Sequence, residues 1–391
     1  MKFRTNVQRI NMAVERILPA LPKRSTIPVL EHAWFAIEND ILTITATDQD
    51  LAVRTKLVCE DAEEGSVLVP GKKFYDIIKA LEKDKDFELE ADPVSFNIQI
   101  QSGKSKYKLK GMDTEEYLAI DDWFEDSEDT RSISFGEGEL SELIKSVSFA
   151  MSKDEYRPAM SGLLLEIEGE NEINAVATDS FRLAKYHKKG IKNTIFEAEK
   201  VQIILSPDGV RAVEKETVEC TAYIVKDKNG DYARVRFVFE GYADKYTLVC
   251  KIIDEKYPPY ENIMPESFDL SIRVPADALR QALKRLNIIC DKTSNIVKLI
   301  VNQPENRLEL NAEHEDIGDS GNENVDINYI DGGLDDFTVG FNLSYIYSVV
   351  SMIESDDAVL RFTTNDKPGV IMPADLERDK EFTMVTMPVR L

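Results

Sequence analysis

The stretch "ATDSFRLA" (177–184) nearly repeats "ATDQDLAV" (46–53), and each follows an alternating apolar segment, "EINAVATD" and "ILTITATD". A local signature that recurs reports recurring architecture. Three registers extend it along the chain. In the first, an apolar residue is followed seven positions later by one that opens a helical pattern: Phe3 and Ile10, Ile133 and Leu140, Ile272 and Leu279. In the second, a strand ends at Ala46, at Ala177 and, more weakly, at Ala312 in "LELNAEHED". In the third, a second helix begins: "VPGKKFYDIIKAL" from Val69, "LSPDGVRAVEK" from Leu205, "FNLSYIYSVVSMI" from Phe341. The offsets run from 130 (Phe3 to Ile133) to 139 (Ile133 to Ile272), so separate landmarks agree on one period.

Each period reads as a short strand, a helix, several strands, a second helix and closing strands. Val7, Ile10, Val14 and Ile17 form an apolar stripe at helical spacing, as do Leu279, Leu283 and Leu286. "FNIQIQ" and "ARVRFVFE" read as half-buried strands, and "KDKNGDYA" (226–233) as a hairpin around an Asn-Gly turn. Boundaries are expected in the acidic runs "DDWFEDSEDTR" (121–131) and "MPESFD" (264–269), giving domains 1–127, 128–267 and 268–391. Units of this size hold their own cores, which leaves sheet edges needing a neighbour, charge or closure. "KSKYKLK" (104–110) sets Lys104, Lys106, Lys108 and Lys110 on one face and Ser105, Tyr107 and Leu109 on the other. Such a strand is either a charged edge protected from aggregation or a seam between subunits.

At 391 residues, 43% of them hydrophobic, the chain has material for two or three cores. No apolar run approaches the roughly 18–20 residues that span a bilayer, so no membrane association is expected. "MKFRTNVQRINMAVERI" carries charges where a secretion signal has its apolar core. Cys59, Cys220, Cys250 and Cys290 lie far apart, as expected for reduced thiols of a cytoplasmic protein. The formal net charge is −24, which opposes bulk attraction to nucleic acid, so any DNA contact depends on where the bases sit.

Catalytic patterns are missing. His32, His187 and His314 have no metal-ligand spacing to one another. "GSVLVPGKK" departs from a phosphate-binding loop in glycine spacing and puts Lys73 where a hydroxyl belongs. "FGEGELS" is expected to be a turn into a helix, and "HEDIGDSGNEN" (314–324) a solvated acidic loop. No enzyme activity, metal or cofactor is expected. The bases instead gather on the repeated helices: Arg9 and Arg16 with Lys23 and Arg24; Lys72, Lys73 and Lys79; Arg280, Lys284 and Arg285. On equivalent helices of equivalent units they form either ordinary exposed faces or a shared basic lining that touches phosphates without reading bases.

Taken end to end, the chain resembles the bacterial β sliding clamps, the processivity subunits of DNA polymerase III. The resemblance is carried by "MKF", "RSTIPVLEH" (24–32), "VPGKKFYDII" (69–78), "DEYRPAMSGLLLE" (154–166), "ATDSFRLA", "YPPYENIMP" (257–265), "GFNLSY" (340–345) and the final "MPVRL" (387–391). It implies an α+β fold of three similar DNA-clamp domains, each with two helices packed on antiparallel sheets, forming half of a six-domain ring. It also implies a homodimer around double-stranded DNA without sequence specificity. The implied protein partners are the replicative polymerase catalytic subunit, the clamp loader, and other polymerases and repair proteins carrying clamp-binding motifs.

By position, the resemblance implies a peptide-binding pocket of Met160, Thr178, Ser180, Phe181, Arg182, Leu183, Pro258, Asn262 and Ile263. Its other wall would be Asn342, Tyr345, Val385, Thr386, Met387, Pro388, Val389, Arg390 and Leu391. Asn262 stands where the family can carry arginine, and Phe181 where histidine is common. The first "ATD" copy is expected to be scaffold. DNA contacts carry over to Arg24 and Arg157, then Lys23, Lys72 and Lys73, and the dimer seam to Tyr107 and Leu109 facing Ile288 and Ile289.

Overall fold

The same series of elements runs three times through the chain. The computed structural model describes residues 1–125, 131–169, 171–194, 200–227, 229–240, 245–314, 317–334, 337–375 and 382–391. First come β1 (Lys2–Asn6), α1 (Val7–Ile17), β2 (His32–Glu38), β3 (Ile41–Thr47), β4 (Leu51–Val58), β5 (Glu60–Glu63), β6 (Gly65–Pro70), α2 (Gly71–Lys79), β7 (Asp86–Ala91), β8 (Asn97–Ser102) and β9 (Ser105–Lys110). The second series is β10 (Arg131–Phe135), α3 (Glu139–Ser148), the single turn α4 (Pro158–Ser161), β11 (Leu163–Glu168), β12 (Glu172–Thr178), β13 (Arg182–Lys189), β14 (Lys192–Asn193), β15 (Lys200–Leu205), α5 (Pro207–Val213), β16 (Cys220–Lys226), β17 (Tyr232–Phe239) and β18 (Tyr246–Lys251). The third is β19 (Leu270–Pro275), α6 (Ala276–Ile289), β20 (Ile296–Asn302), β21 (Arg307–His314), β22 (Asp319–Asp326), β23 (Tyr329–Gly332), β24 (Thr338–Asn342), α7 (Leu343–Val350), β25 (Asp357–Phe362), β26 (Gly369–Pro373) and β27 (Phe382–Thr386).

Helices α1, α5 and α7 start where the chain supplies side-chain caps. Asn6 accepts from Arg9 N at 2.8 Å ahead of α1, Ser206 accepts from Gly209 N at 3.2 Å ahead of α5, and Asn342 accepts from Tyr345 N at 3.1 Å ahead of α7. The predicted stripes face inward: Val7, Ile10, Val14 and Ile17 are buried, and so are Leu279, Leu283 and Leu286.

Packing divides the chain into two units that cut across the sequence periods. Unit 1 is Met1–Ser141, Ile191–Glu197 and Leu205–Ile253; unit 2 is Glu142–Gly190, Ala198–Ile204 and Asp254–Leu391. Unit 1 holds a five-stranded sheet ordered β5-β1-β7-β8-β9 and a nine-stranded sheet ordered β14-β10-β16-β17-β18-β4-β3-β2-β6. Its first repeat is cored by aromatic rings in contact: Phe35 meets Phe74 edge-on at 5.2 Å, and Phe87 lies 6.1 Å from Phe74 and 6.0 Å from Phe3. Unit 2 mirrors the plan with a nine-stranded sheet, β15-β11-β12-β13-β27-β26-β25-β19-β23, and a four-stranded sheet, β22-β21-β20-β24. Each nine-stranded sheet therefore crosses from one repeat into the next: β4 pairs antiparallel with β18, and β13 with β27.

Two sequence expectations are corrected, the acidic loop and the alternation in β17. The acidic "HEDIGDSGNEN" is not a loop throughout: Asp319–Asn324 belong to β22, paired antiparallel with β21, while residues 315 and 316 lie outside the described residues. An edge strand with one solvated flank has no need of the apolar alternation that signals a strand. In "DDWFEDSEDTR", Asp121–Phe124 form a 3-10 turn whose Trp123 is buried; residues 126–130, with the 127/128 boundary, lie outside the described residues. In β17 the clean alternation fails at Arg236, which is buried and donates to Phe124 O at 2.7 Å. The "KDKNGDYA" hairpin forms between β16 and β17, with Lys228 outside the described residues.

Candidate functional site

The two "ATD" copies fold into the same turn. Thr47 Oγ1 donates to Leu51 O at 2.8 Å and accepts from Gln49 N at 3.1 Å, while Asp48 Oδ1 accepts from the Asp50 and Leu51 amides. Thr178 Oγ1 donates to Arg182 O at 2.7 Å and accepts from Ser180 N at 3.2 Å, while Asp179 Oδ1 accepts from the Phe181 and Arg182 amides. The middle residue is left-handed in both, with φ 84° at Gln49 and 77° at Ser180. Each turn launches the strand that joins one repeat's sheet to the next. The repeated signature is a junction device.

The two turns lead into different residues. Leu51 is buried apolar core, whereas Arg182 organises a polar crossing within unit 2. Its Nε pairs with Asp179 at 3.0 Å, Nη1 donates to Ser348 Oγ at 2.9 Å and Nη2 to Phe149 O at 2.5 Å. The guanidinium stacks 4.4 Å from the Tyr345 ring, and burial together with Asp179 raises the Tyr345 phenol. This ties the turn to α7 of the third repeat.

The chain's end joins the same place. Arg182 and Leu183 pair with Thr386 and Val385, Met387 N donates to Phe181 O at 2.8 Å, and Val389 N donates to Gly340 O at 2.8 Å. A Cβ on Gly340 would lie 2.6 Å from Leu391 Cδ2, so this glycine lets the last side chain rest on the β24 backbone. Ser180 Oγ reaches Met160 Sδ at 3.4 Å and accepts from Arg157 Nη1 at 3.0 Å. Phe181, at 61%, Met387 and Leu391 are exposed here. Thr178, Leu183, Val385 and Thr386 are buried. Pro258, Asn262 and Ile263 arrive on a separate segment, which Glu255 Oε2 ties to Ala159 N at 3.1 Å and Tyr257 OH to Val176 O at 3.5 Å.

Comparison with the first junction shows, among the described residues, a different filling. Tyr117 leads into Ile120 and Trp123 there, at the spacing by which Tyr257 leads into Tyr260 and Ile263. Trp123 is buried with Val29, Leu30, Ala52 and Val249, and the cations of Arg234 and Lys251 lie 4.4 and 5.9 Å from its ring. Ile263, by contrast, is 38% exposed. The first junction is filled by its own linker.

In unit 1 a cleft of about 640 Å³ gathers Lys23, Lys72 and Lys73 with His32 and Tyr107. Arg24 is exposed nearby in sequence, and Lys72 pairs with Asp76 at 3.0 Å. Arg157 lies in unit 2 and also meets Asp154 at 3.5 Å. Two other bases from the helices are spent internally: Arg280 donates to Val350 O and Ile353 O, and Arg285 grips Glu323 in a two-pronged pair at 2.6 and 2.7 Å. β9 is an open sheet edge with exposed lysines and Tyr107, while Leu109 is buried in its own sheet. On α6, Ile288 is 80% exposed, but Ile289 packs toward Gly321 of β22. Among the described residues no cluster of His, Cys, Asp and Glu is placed to hold a metal ion, and no helix is long and apolar enough to cross a membrane.

Sequence reasoning missed the contacts of Arg182 with Asp179, Ser348 and Phe149 O and the tie of Tyr257 to Val176 O; for the tyrosine, the spacing of "YPPY" against "YLAI" was the available signal.

Models of the DNA polymerase III beta subunit match the chain in three parts: the N-terminal domain at residues 1–121, the central domain at 135–259 and the C-terminal domain at 261–390. A beta sliding clamp of Pseudomonas aeruginosa is 24% identical over 394 residues, and that of Escherichia coli K12 24% over 396, each covering 100% of both chains. Among solved structures, a DnaN sliding clamp from Pseudomonas aeruginosa bound to griselimycin superposes with a TM-score of 0.87 at 24% identity, covering 100% of both chains. The Bacillus subtilis sliding clamp gives 0.87 at 22%, covering 100% of this chain and 99% of the other. At these identities the structural likeness concerns the fold.

Proposed function

The chain belongs to the DNA polymerase III beta subunit family, and we propose that it acts by closing, as a head-to-tail homodimer, into a six-domain ring around duplex DNA. It is a DNA sliding clamp, the non-catalytic processivity subunit of the polymerase. Domain limits are placed at 1–127, 128–267 and 268–391, and the compartment is the cytoplasm.

The observation that carries the ring is a pair of unlike open edges. β9 ends one sheet with Lys106, Lys108 and Lys110 exposed, and β22 ends another with Asp319 and Asp326 exposed. Like edges repel and unlike edges add a strand to each other's sheet, so β9 of one copy lies along β22 of the next. Because the two surfaces differ, the association is heterologous, and the number of copies that close it, two, follows from the family resemblance. Tyr107 then faces Ile288 across each seam, with Leu109 and Ile289 packed behind them.

A closed ring holds DNA by topology, which reconciles function with a net charge of −24. Lys23, Arg24, Lys72, Lys73 and Arg157 supply local positive charge toward phosphates. Contacts of this kind are sequence-independent and exchange readily with salt, so the ring slides. The surface around Met160, Phe181, Arg182, Tyr345 and the 387–391 tail takes short linear motifs of the polymerase catalytic subunit, the clamp loader, and other polymerases and repair proteins. The test is topological. Protein loaded on closed circular duplex is expected to persist through a high-salt wash and to leave once a single cut frees an end; equal retention on cut and uncut DNA overturns the ring.

A further inference from the structure

Unit 2 buries a carboxylate outside the residues named above for the groove and the ring. Glu166 sits in β11 with 2% of its side chain exposed. Its Oε1 accepts from Gln202 Nε2 at 2.7 Å and meets Lys200 Nζ at 2.9 Å; its Oε2 accepts from Tyr260 OH at 3.0 Å and Asn174 Nδ2 at 3.3 Å. Asn174 Oδ1 in turn lies 2.9 Å from His187 Nδ1. Glu166 and Asn174 are register partners, as are Asn174 and His187, so a polar row crosses the sheet and Tyr260 closes over it.

The first junction shows that the fold has no need of this arrangement. There the residue at the place of Tyr260 is Ile120, seated in an apolar cluster. A buried carboxylate is a poor way to gain stability, since well-packed apolar groups serve as well or better, but it accepts its donors in one geometry only. Tyr260 also opens the turn Tyr260–Ile263 that carries Asn262 and Ile263, and Pro258 and Pro259 before it restrict the backbone between the two tyrosine pegs. Where Tyr260 is held, the adjoining wall is held.

We propose that Glu166 and Tyr260 are positioning residues that set the Asn262–Ile263 wall of the peptide groove for motif binding. This rests on the assignment of the groove as the peptide site. The full-length protein is tested with a fluorescent peptide copied from the C-terminal clamp-binding motif of a polymerase catalytic subunit, well below the melting temperature. Tyr260→Phe is expected to weaken the peptide roughly tenfold, a change of about 1.4 kcal/mol, through faster release at an unchanged association rate. Amide exchange at Asn262–Met264 should speed up while the dimer persists by light scattering. Glu166→Met with Tyr260→Phe, imitating the apolar first junction, should keep or raise the melting temperature yet bind the peptide as weakly as the single variant. Wild-type affinity in both variants overturns the positioning role. Deletion of 387–391 separates the two ideas: if the wild type binds the peptide equally with and without the tail, the groove reading fails first.

Discussion

Arg182 and Leu51 occupy the same place after two turns built from the same hydrogen bonds. One becomes core; the other, held by Asp179, Ser348, Phe149 O and the Tyr345 ring, becomes the centre of a candidate binding surface. Glu166 makes a similar contrast with the apolar first junction and has a measurable signature. Burial alone would raise its pKa, but hydrogen bonds from Gln202, Lys200 and Tyr260 outweigh burial and lower it. The unfolded chain therefore binds the extra proton first. Stability from this carboxylate is complete above its ordinary value and is lost as pH falls through the native one. Urea midpoints measured into the acid range should fall less steeply for Glu166→Gln than for the wild type; parallel slopes would show that the carboxylate is not held as described.

At the scale of elements, the proposed assembly rests on the sheet edges and the helices next to them. Ile288 stands exposed on α6 beside β22, and Tyr107 stands on the open β9 edge. Burying one such apolar side chain is worth roughly 1.5–3 kcal/mol. Ile288→Asp with Ile289→Asp is expected to yield monomers by light scattering, with Ile288→Asp giving most of the effect because Ile289 already packs toward Gly321. A dimer that persists in the double variant would move the seam to other surfaces. The same scale shows that the bases on the helices are not uniformly available for the proposed DNA contact. Arg280 caps the end of α7 and Arg285 braces β22, whereas Lys23, Lys72 and Lys73 open onto one cleft.

For the whole molecule, the proposed function rests on closure more than on affinity. An acidic protein that gripped DNA tightly would have to overcome its own field, whereas a ring needs only local cations at its lining. Arg24→Glu is accordingly expected to slow loading onto nicked circular DNA several-fold while peptide affinity stays within about twofold, a difference well under 1 kcal/mol. Loss of peptide binding with normal loading would place Arg24 on the groove side instead.

The triplication, the strand-to-helix order, the apolar stripes and the Thr-Asp turn were legible in the chain because periodicity and local hydrogen bonding are properties of neighbouring residues. The resemblance supplied positions for the groove, the seam and the DNA contacts. Tertiary structure alone decided that β22 is a strand and that Trp123 fills the first junction while Ile263 leaves the second exposed. It also decided that Arg280 and Arg285 are already engaged, and that Glu166 lies beneath Tyr260. Each depends on which side chains distant strands bring together, and the energies that settle burial or exposure arise only in those contacts.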